Sequence, residues 1–258
     1  MANILITGCR GGIGRNVACK LLKRGHKVYA TVHTEDSIDD LRLVLKQYGE
    51  NFVVEKLDIT EANDINKTDE WDIDVLINNA AVGDSGPLAE IDPERVKAVF
   101  ETNLFSTLQL TQRVLPKMIT KGDGRILFMG SMAGLIPTPF YAPYAMTKFA
   151  LESVTFSLRT ELKPFGIKVI VINPGSYNTG FNRKNLDKKY DWMNMNGLYK
   201  NHMGYIREEE EKIIKYELQS TDSIAKQIVK AVEARSPKRR YVAPKWQWFF
   251  LPIIRRFG

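Results

Sequence analysis

Short apolar runs and helix-length amphipathic stretches alternate along most of the chain. Runs at 4–7, 27–32, 52–57, 75–78, 125–129 and 168–173 are rich in Val, Ile and Leu and read as strands. Segments near 13–24, 36–47, 93–119 and 142–162 place apolar residues at three- and four-residue intervals and read as helices. Strand and helix in strict alternation predict βαβ units, hence an α/β fold with a doubly wound parallel sheet. Such a sheet binds ligands at the carboxyl ends of its strands. With no internal repeat, low-complexity tract or linker in view, one domain is expected over residues 1–243.

The rhythm stops after residue 173. Residues 176–206 mix tyrosine, methionine, tryptophan and phenylalanine with glycine and asparagine and show no clear period. A long aperiodic segment in a compact chain is expected to be a lid, here 176–216. The run Glu208–Glu211 is read as the solvated start of a helix, and a further amphipathic helix fits 222–234.

Charge changes the picture at one end only. The net charge is +7, and the seven basic residues from Arg235 onward, with no acid among them, account for all of it. The body is then neutral, which argues against a nucleic-acid-binding face. Residues 244–258 are expected to form a basic, aromatic tail that makes peripheral contact with a membrane surface, or else packs under the lid or into a subunit interface. No run approaches the roughly 18 apolar residues that span a bilayer. The opening Met1-Ala2-Asn3 and its brief apolar run are too short for a secretory leader. Cys9 and Cys19 and the three scattered histidines suggest neither a disulfide framework nor a metal site, so a cytoplasmic setting is expected.

Two local patterns carry chemistry. Thr7-Gly8-Cys9-Arg10-Gly11-Gly12-Ile13-Gly14 lies between the first strand and the first helix. Glycines there permit a tight turn and let a pyrophosphate reach the helix amides. The second strand ends in Val32-His33-Thr34 without the acid that holds an unphosphorylated ribose. Arg10, with His33 or Thr34, is a candidate partner for a 2′-phosphate, so NADP(H) is expected, with NAD(H) as the alternative. The second pattern is Tyr144 and Lys148, one helical turn apart and about 6 Å along the axis. An ammonium beside a phenol is expected to lower its pKa toward a useful range.

Taken in order, TGCRGGIG (7–14), LDIT (57–60), NNAA (78–81), Asn103, Ser131, YAMTK (144–148) and NPGSYNT (173–179) resemble the short-chain dehydrogenase/reductase family over about residues 3–180. The resemblance implies a Rossmann fold and assigns roles. Tyr144 would be the general acid in reduction and the base in oxidation, Lys148 would tune it and hold the nicotinamide ribose, and Ser131 would bind the substrate oxygen. Asn103 would place a water that relays protons from Lys148. Asp58 and Ile59 would face the adenine, and Asn79 and Ala80 the adenosine. Gly8, Gly12, Ile13 and Gly14 would cradle the phosphates. Pro174, Gly175, Tyr177 and Thr179 would border the nicotinamide. Family members commonly form homodimers or homotetramers, which is the expectation here.

Three departures stand out. Tyr177 replaces a small aliphatic residue and is expected to narrow the nicotinamide pocket. NNAA replaces the commoner NNAG. The stretch between Asp58 and Asn78 is short, so its helix is expected to be a stub.

The aromatic and methionine content of 176–206, with Met132, Leu135, Ile136 and Pro137 after Ser131, points to a bulky apolar ketone or secondary alcohol such as a hydroxysteroid, retinoid or other lipid carbonyl. Arg183, Lys184, Lys188 and Lys189 raise an alternative, reduction of a 3-oxoacyl group on an acidic carrier protein. A non-catalytic, nucleotide-sensing scaffold is the reading from another class, and the presence of all four catalytic side chains weighs against it.

Overall fold

The computed structural model describes residues 1–246 and residue 249. Seven parallel strands form its single sheet: β1 (Asn3–Ile6), β2 (Lys27–Val32), β3 (Phe52–Lys56), β4 (Val75–Asn78), β5 (Gly124–Met129), β6 (Ile167–Pro174) and β7 (Arg240–Ala243). Their spatial order is β3-β2-β1-β4-β5-β6-β7, so the winding reverses direction between β1 and β4. That reversal opens a crevice above the carboxyl ends of β1 and β4, where the glycine-rich turn lies.

Alternation along each strand divides the core between two faces. Ile4 and Ile6 join Leu127 and Ile170 on the face covered by helices α1 (Gly12–Lys23), α2 (Ile38–Lys46) and α9 (Asp222–Glu233). Leu5, Leu76, Ile126 and Phe128 point the other way, against α5 (Thr107–Lys121) and α6 (Ala142–Glu161). Both faces are buried, which is why these strands read as nearly continuous apolar runs.

Several expectations change. The predicted helix over 93–119 is α4 (Pro93–Phe100) and α5 joined by a π-helical segment, Glu101–Ser106. Between β3 and β4 the short stretch holds only α3 (Ala62–Asn66) and a single further turn, a stub as expected. Residues 176–216 contain α7 (Phe181–Leu186) and α8 (Met203–Lys215), so Glu208–Glu211 lies in the middle of a helix and not at its start. Four consecutive acids have no period from which to place a helix boundary.

The strand β7 was not legible either. It pairs with β6 in parallel, Ile172 opposite Tyr241 and Asn173 opposite Val242. Arg240 thus belongs to the sheet and not to a basic tail. Most of the expected tail, 244–258, lies outside the described residues. No helix among the described residues is long and apolar enough to cross a membrane, and no described group of His, Cys, Asp and Glu has a metal-binding arrangement.

Candidate functional site

The glycine-rich turn is built for close approach. Gly8 has φ +72°, and a Cβ there would stand 2.9 Å from Ala80 Cα. A Cβ on Gly14 would stand 2.7 Å from the Gly8 carbonyl oxygen, so only bare backbone fits. Thr7 staples this turn to the end of β4: its hydroxyl accepts from the amides of Asn79 (3.0 Å) and Ala80 (2.9 Å). Asn79 answers with its side-chain amide, which donates to the carbonyls of Thr7 and Gly8. Thr7 itself carried no role in the sequence reading; its place at the last step of β1 was the available signal.

No side chain caps α1 at Gly11, so its first amides are left for an external acceptor. Thr179 leans over the same turn, 3.1 Å from where a Cβ of Gly12 would stand. The cradle and the uncapped helix fit a dinucleotide pyrophosphate.

Beside the turn lies a pocket of about 270 Å³ lined by Arg10, Arg15, Thr34, Ser37, Asp36, Asp40 and Leu41. Arg10 and Thr34 were expected there. His33 is exposed and does not line it. Arg15 and Ser37 were missed, because only folding brings α1 and the turn after β2 together. Asp58 makes a local turn, its carboxylate accepting from the amide and hydroxyl of Thr60, while Ile59 is buried beside it.

At the other end of the crevice Tyr144 and Lys148 rise from α6. Lys148 is 3% exposed; its Nζ donates to the Met129 carbonyl at 2.7 Å and sits 5.4 Å from the centre of the Tyr144 ring. The expected lowering of the Tyr144 pKa is not what this enclosure produces. Burial pushes the phenol up to about 12, with the Ser131 hydroxyl opposing the shift, and burial pushes Lys148 down to about 7. Withdrawal from water disfavours the charged form of each.

Ser131 ends the turn after β5, and its hydroxyl also accepts from the Ala133 amide at 3.1 Å. Its carbonyl is held by the Asn173 side chain, which bonds Glu152 in turn, and Arg240 binds both Glu152 and Asn173. A strand formed by the last sixth of the chain therefore braces the serine through two intermediates. Sequence reasoning missed Arg240, Glu152 and the bracing role of Asn173.

Asn103, buried in the π-helical segment, clamps Val82 through both its backbone groups and donates to Thr147 at 3.0 Å. Thr147 in turn bonds the Tyr144 carbonyl. Asn103 thereby ties the loop after β4 to the start of α6. A π-turn is a frequent device for presenting such a residue.

The segment 176–216 closes over this end. Phe181 packs on Tyr144 at 5.4 Å between ring centres, and Leu186, Ile213 and Ile214 complete an apolar cluster around Tyr141 and Tyr144. Tyr177, by contrast, does not narrow the nicotinamide side. Its ring joins the core under α9, and its hydroxyl meets Ser223 at 2.7 Å. Met132 borders Ser131 and is half-buried, and Pro174 and Gly175 lead directly from β6 into this segment. Of the four basic residues from 183 to 189, Lys189 is withdrawn: it is 1% exposed and paired with Glu210 at 2.8 Å. The basic patch expected for an acidic carrier is correspondingly smaller.

A doubly wound parallel sheet with a glycine-lined anion cradle, and with Tyr144 and Lys148 buried beside Ser131 at the strand ends, defines a dinucleotide-dependent oxidoreductase. Comparison with known proteins narrows this. The model of the short chain dehydrogenase family matches residues 2–190. Human 17-beta-hydroxysteroid dehydrogenase type 1 is 30% identical, over 98% of this chain and 79% of its own length. Among solved structures, a short-chain dehydrogenase/reductase from Burkholderia phymatum in complex with NAD superposes with TM-score 0.82 at 20% identity, covering 98% of this chain and 92% of that one. A short-chain dehydrogenase from Sphingobium yanoikuyae in complex with NADPH gives 0.76 at 22% identity, covering 100% and 94%. The chain belongs to the short-chain dehydrogenase family of oxidoreductases.

Proposed function

We propose that this protein is an NADP(H)-dependent reductase of a bulky apolar ketone, working through Tyr144, Ser131, Lys148 and Asn103. The observation that carries the reading is the enclosed phenol of Tyr144, 9% exposed, beside the Ser131 hydroxyl. A phenol carries its proton throughout the neutral range, so Tyr144 is available as a proton donor at the place where burial and Ser131 hold it. Tyr144 hands its proton to the ketone oxygen as negative charge develops there, and Ser131 donates a hydrogen bond to the same oxygen. A reduced nicotinamide held in the crevice would supply the hydride that completes the alcohol. The Asn103–Thr147 clamp fixes the turn of α6 that carries the phenol, and Lys148, its Nζ 5.4 Å from the centre of that ring, would return the proton the phenol gives up.

Gly8, Gly12, Ile13 and Gly14 would hold the pyrophosphate, with Asn79, Ala80, Asp58 and Ile59 along the adenosine. In the small pocket Asp36 and Asp40 balance the charge of Arg10 and Arg15, and the two guanidiniums with the hydroxyls of Thr34 and Ser37 supply the donors that support a 2′-phosphate. The apolar cluster of Phe181, Leu186, Ile213 and Ile214 supports a lipid carbonyl as substrate, as does similarity to a protein named for hydroxysteroids. Exposed Met146, Phe149 and Phe156 on α6, with Phe105 nearby in sequence to α5, support self-association.

Replacing Tyr144 with Phe is the decisive test. Ketone reduction should fall by about two to four orders of magnitude, while NADPH titrations followed by fluorescence should still saturate. Turnover retained by the variant would refute the assignment.

A further inference from the structure

Tyr141 lies one turn before Tyr144 and is stacked on it, with ring centres 4.9 Å apart and planes 24° from parallel. It is 2% exposed, and its hydroxyl makes no hydrogen bond of normal geometry with any described residue; the Asn185 side chain beside it only opposes the rise that burial gives its pKa. A buried hydroxyl without a partner costs about 1–3 kcal/mol, and a phenylalanine would fill the same space without that cost. The hydroxyl therefore needs an explanation that packing does not supply.

Its surroundings are polar on one side. A Cβ placed on Gly83 would stand 3.1 Å from this oxygen and 3.0 Å from Asn185 Cγ, so the hydroxyl faces bare backbone. Asn185 stands beside it, already committed to the Gly83 amide (2.9 Å) and the Phe181 carbonyl (2.7 Å). Gly83 belongs to the loop after β4 and Asn185 to α7. These are the two walls that meet over Tyr144, joined again where the Ser85 hydroxyl donates to the Leu186 carbonyl at 2.7 Å. Parting this seam would uncover the Tyr141 hydroxyl, the Asn185 amide and the Gly83 N–H together, one helical turn from Tyr144.

We propose that Tyr141, with Asn185 and Gly83 beside it, is a second polar contact for the substrate, taking a hydroxyl or carbonyl group on the carbon next to the one reduced or on the one after. With ring centres 4.9 Å apart, the two phenols are close enough for one small molecule to meet both. The inference rests on the ketone-reductase reading and sharpens it: the substrate is an apolar ketone that carries a hydrogen-bonding group close to the reacting carbon.

The test compares a long-chain methyl ketone with the α-hydroxy ketone of the same chain length, NADPH being the hydride donor. The unaltered protein should favour the hydroxy ketone in kcat/KM by about tenfold or more, as sites built around a hydroxyl do. In Tyr141→Phe that ratio should fall to within about twofold of one, through a raised KM for the hydroxy ketone. Its Tm should be equal or higher, since an unpaired hydroxyl has gone. Gly83→Ala, which sets a methyl against the same oxygen, should lower the ratio in the same direction. An unchanged ratio in Tyr141→Phe, an equal loss of kcat on both ketones, or a Tm lower by several degrees would overturn the proposal. Turnover of both ketones without preference would overturn it alone; turnover of neither would overturn the reductase reading and this inference with it.

Discussion

Lys148 and Tyr144 are both enclosed, and enclosure moves their titrations in opposite directions. The folded chain releases the Lys148 proton near pH 7, whereas the unfolded chain holds it to about 10.4. Between those limits the unfolded state binds more protons, so this group makes stability rise with pH and withdraws stability as pH falls toward 7. Tyr144 acts above them: the folded chain keeps its proton to about 12, the unfolded chain loses it near 10, and stability declines through that interval. Thermal melts of the nucleotide-free protein beside Lys148→Met should therefore shift in favour of the unaltered chain from pH 7 to 10. A difference in Tm that stays flat across that range would contradict the burial. The small pocket beside the glycine turn makes a second prediction at the same scale. Charge-assisted hydrogen bonds are worth about 1.5–3 kcal/mol, so Arg10→Ala with Arg15→Ala should raise KM for NADPH roughly tenfold or more. KM for NADH, which lacks the extra phosphate, should barely move, and steady-state kinetics with both cofactors separates the two outcomes.

Among elements, α7 and α8 show how a segment without periodicity still packs. Ile206 and Glu210 sit one turn apart on the buried face of α8, so the helix brings an acid inward where an apolar residue would be expected. Lys189 meets that carboxylate and also donates to the Leu186 carbonyl at 2.8 Å. Burial raises the Glu210 pKa and the lysine opposes the shift. Removing one partner of a buried pair strands the other. Lys189→Met should cost about 3–5 kcal/mol, and Lys189→Met combined with Glu210→Leu should recover most of it. Urea unfolding of the three proteins measures this, and equal midpoints for the single variant and the unaltered chain would show that the pair contributes nothing. The helix expected over 93–119 teaches a related lesson. Its apolar period was readable, but the π-helical turn within it is imposed by what Asn103 must reach, Val82 on one side and Thr147 on the other. Helical periodicity reports which face is buried and is blind to one inserted residue.

For the molecule as a whole, the aromatic stripe on α6 has no cover among the described residues. Phe149 and Phe156 are two turns apart on one face, and Phe156 is 68% exposed. If this face joins copies of the chain, Phe156→Arg should convert a dimer or tetramer to a smaller species in light scattering, whereas a monomeric unaltered protein would refute the reading. The first six strands, the glycine turn and the Tyr144–Lys148 pair were all determined by the sequence alone, because each is a local pattern: a short apolar run, a cluster of glycines or a spacing of one turn. The tertiary structure alone decided that 240–243 adds a seventh strand, that Arg240 braces Ser131 through Asn173 and Glu152, and that Tyr177 turns into the core. It also decided that Lys189 is buried and that burial, not the neighbouring lysine, sets the protonation of Tyr144. Each of these depends on which distant segments exclude water from which groups, and no window of neighbouring residues contains that information.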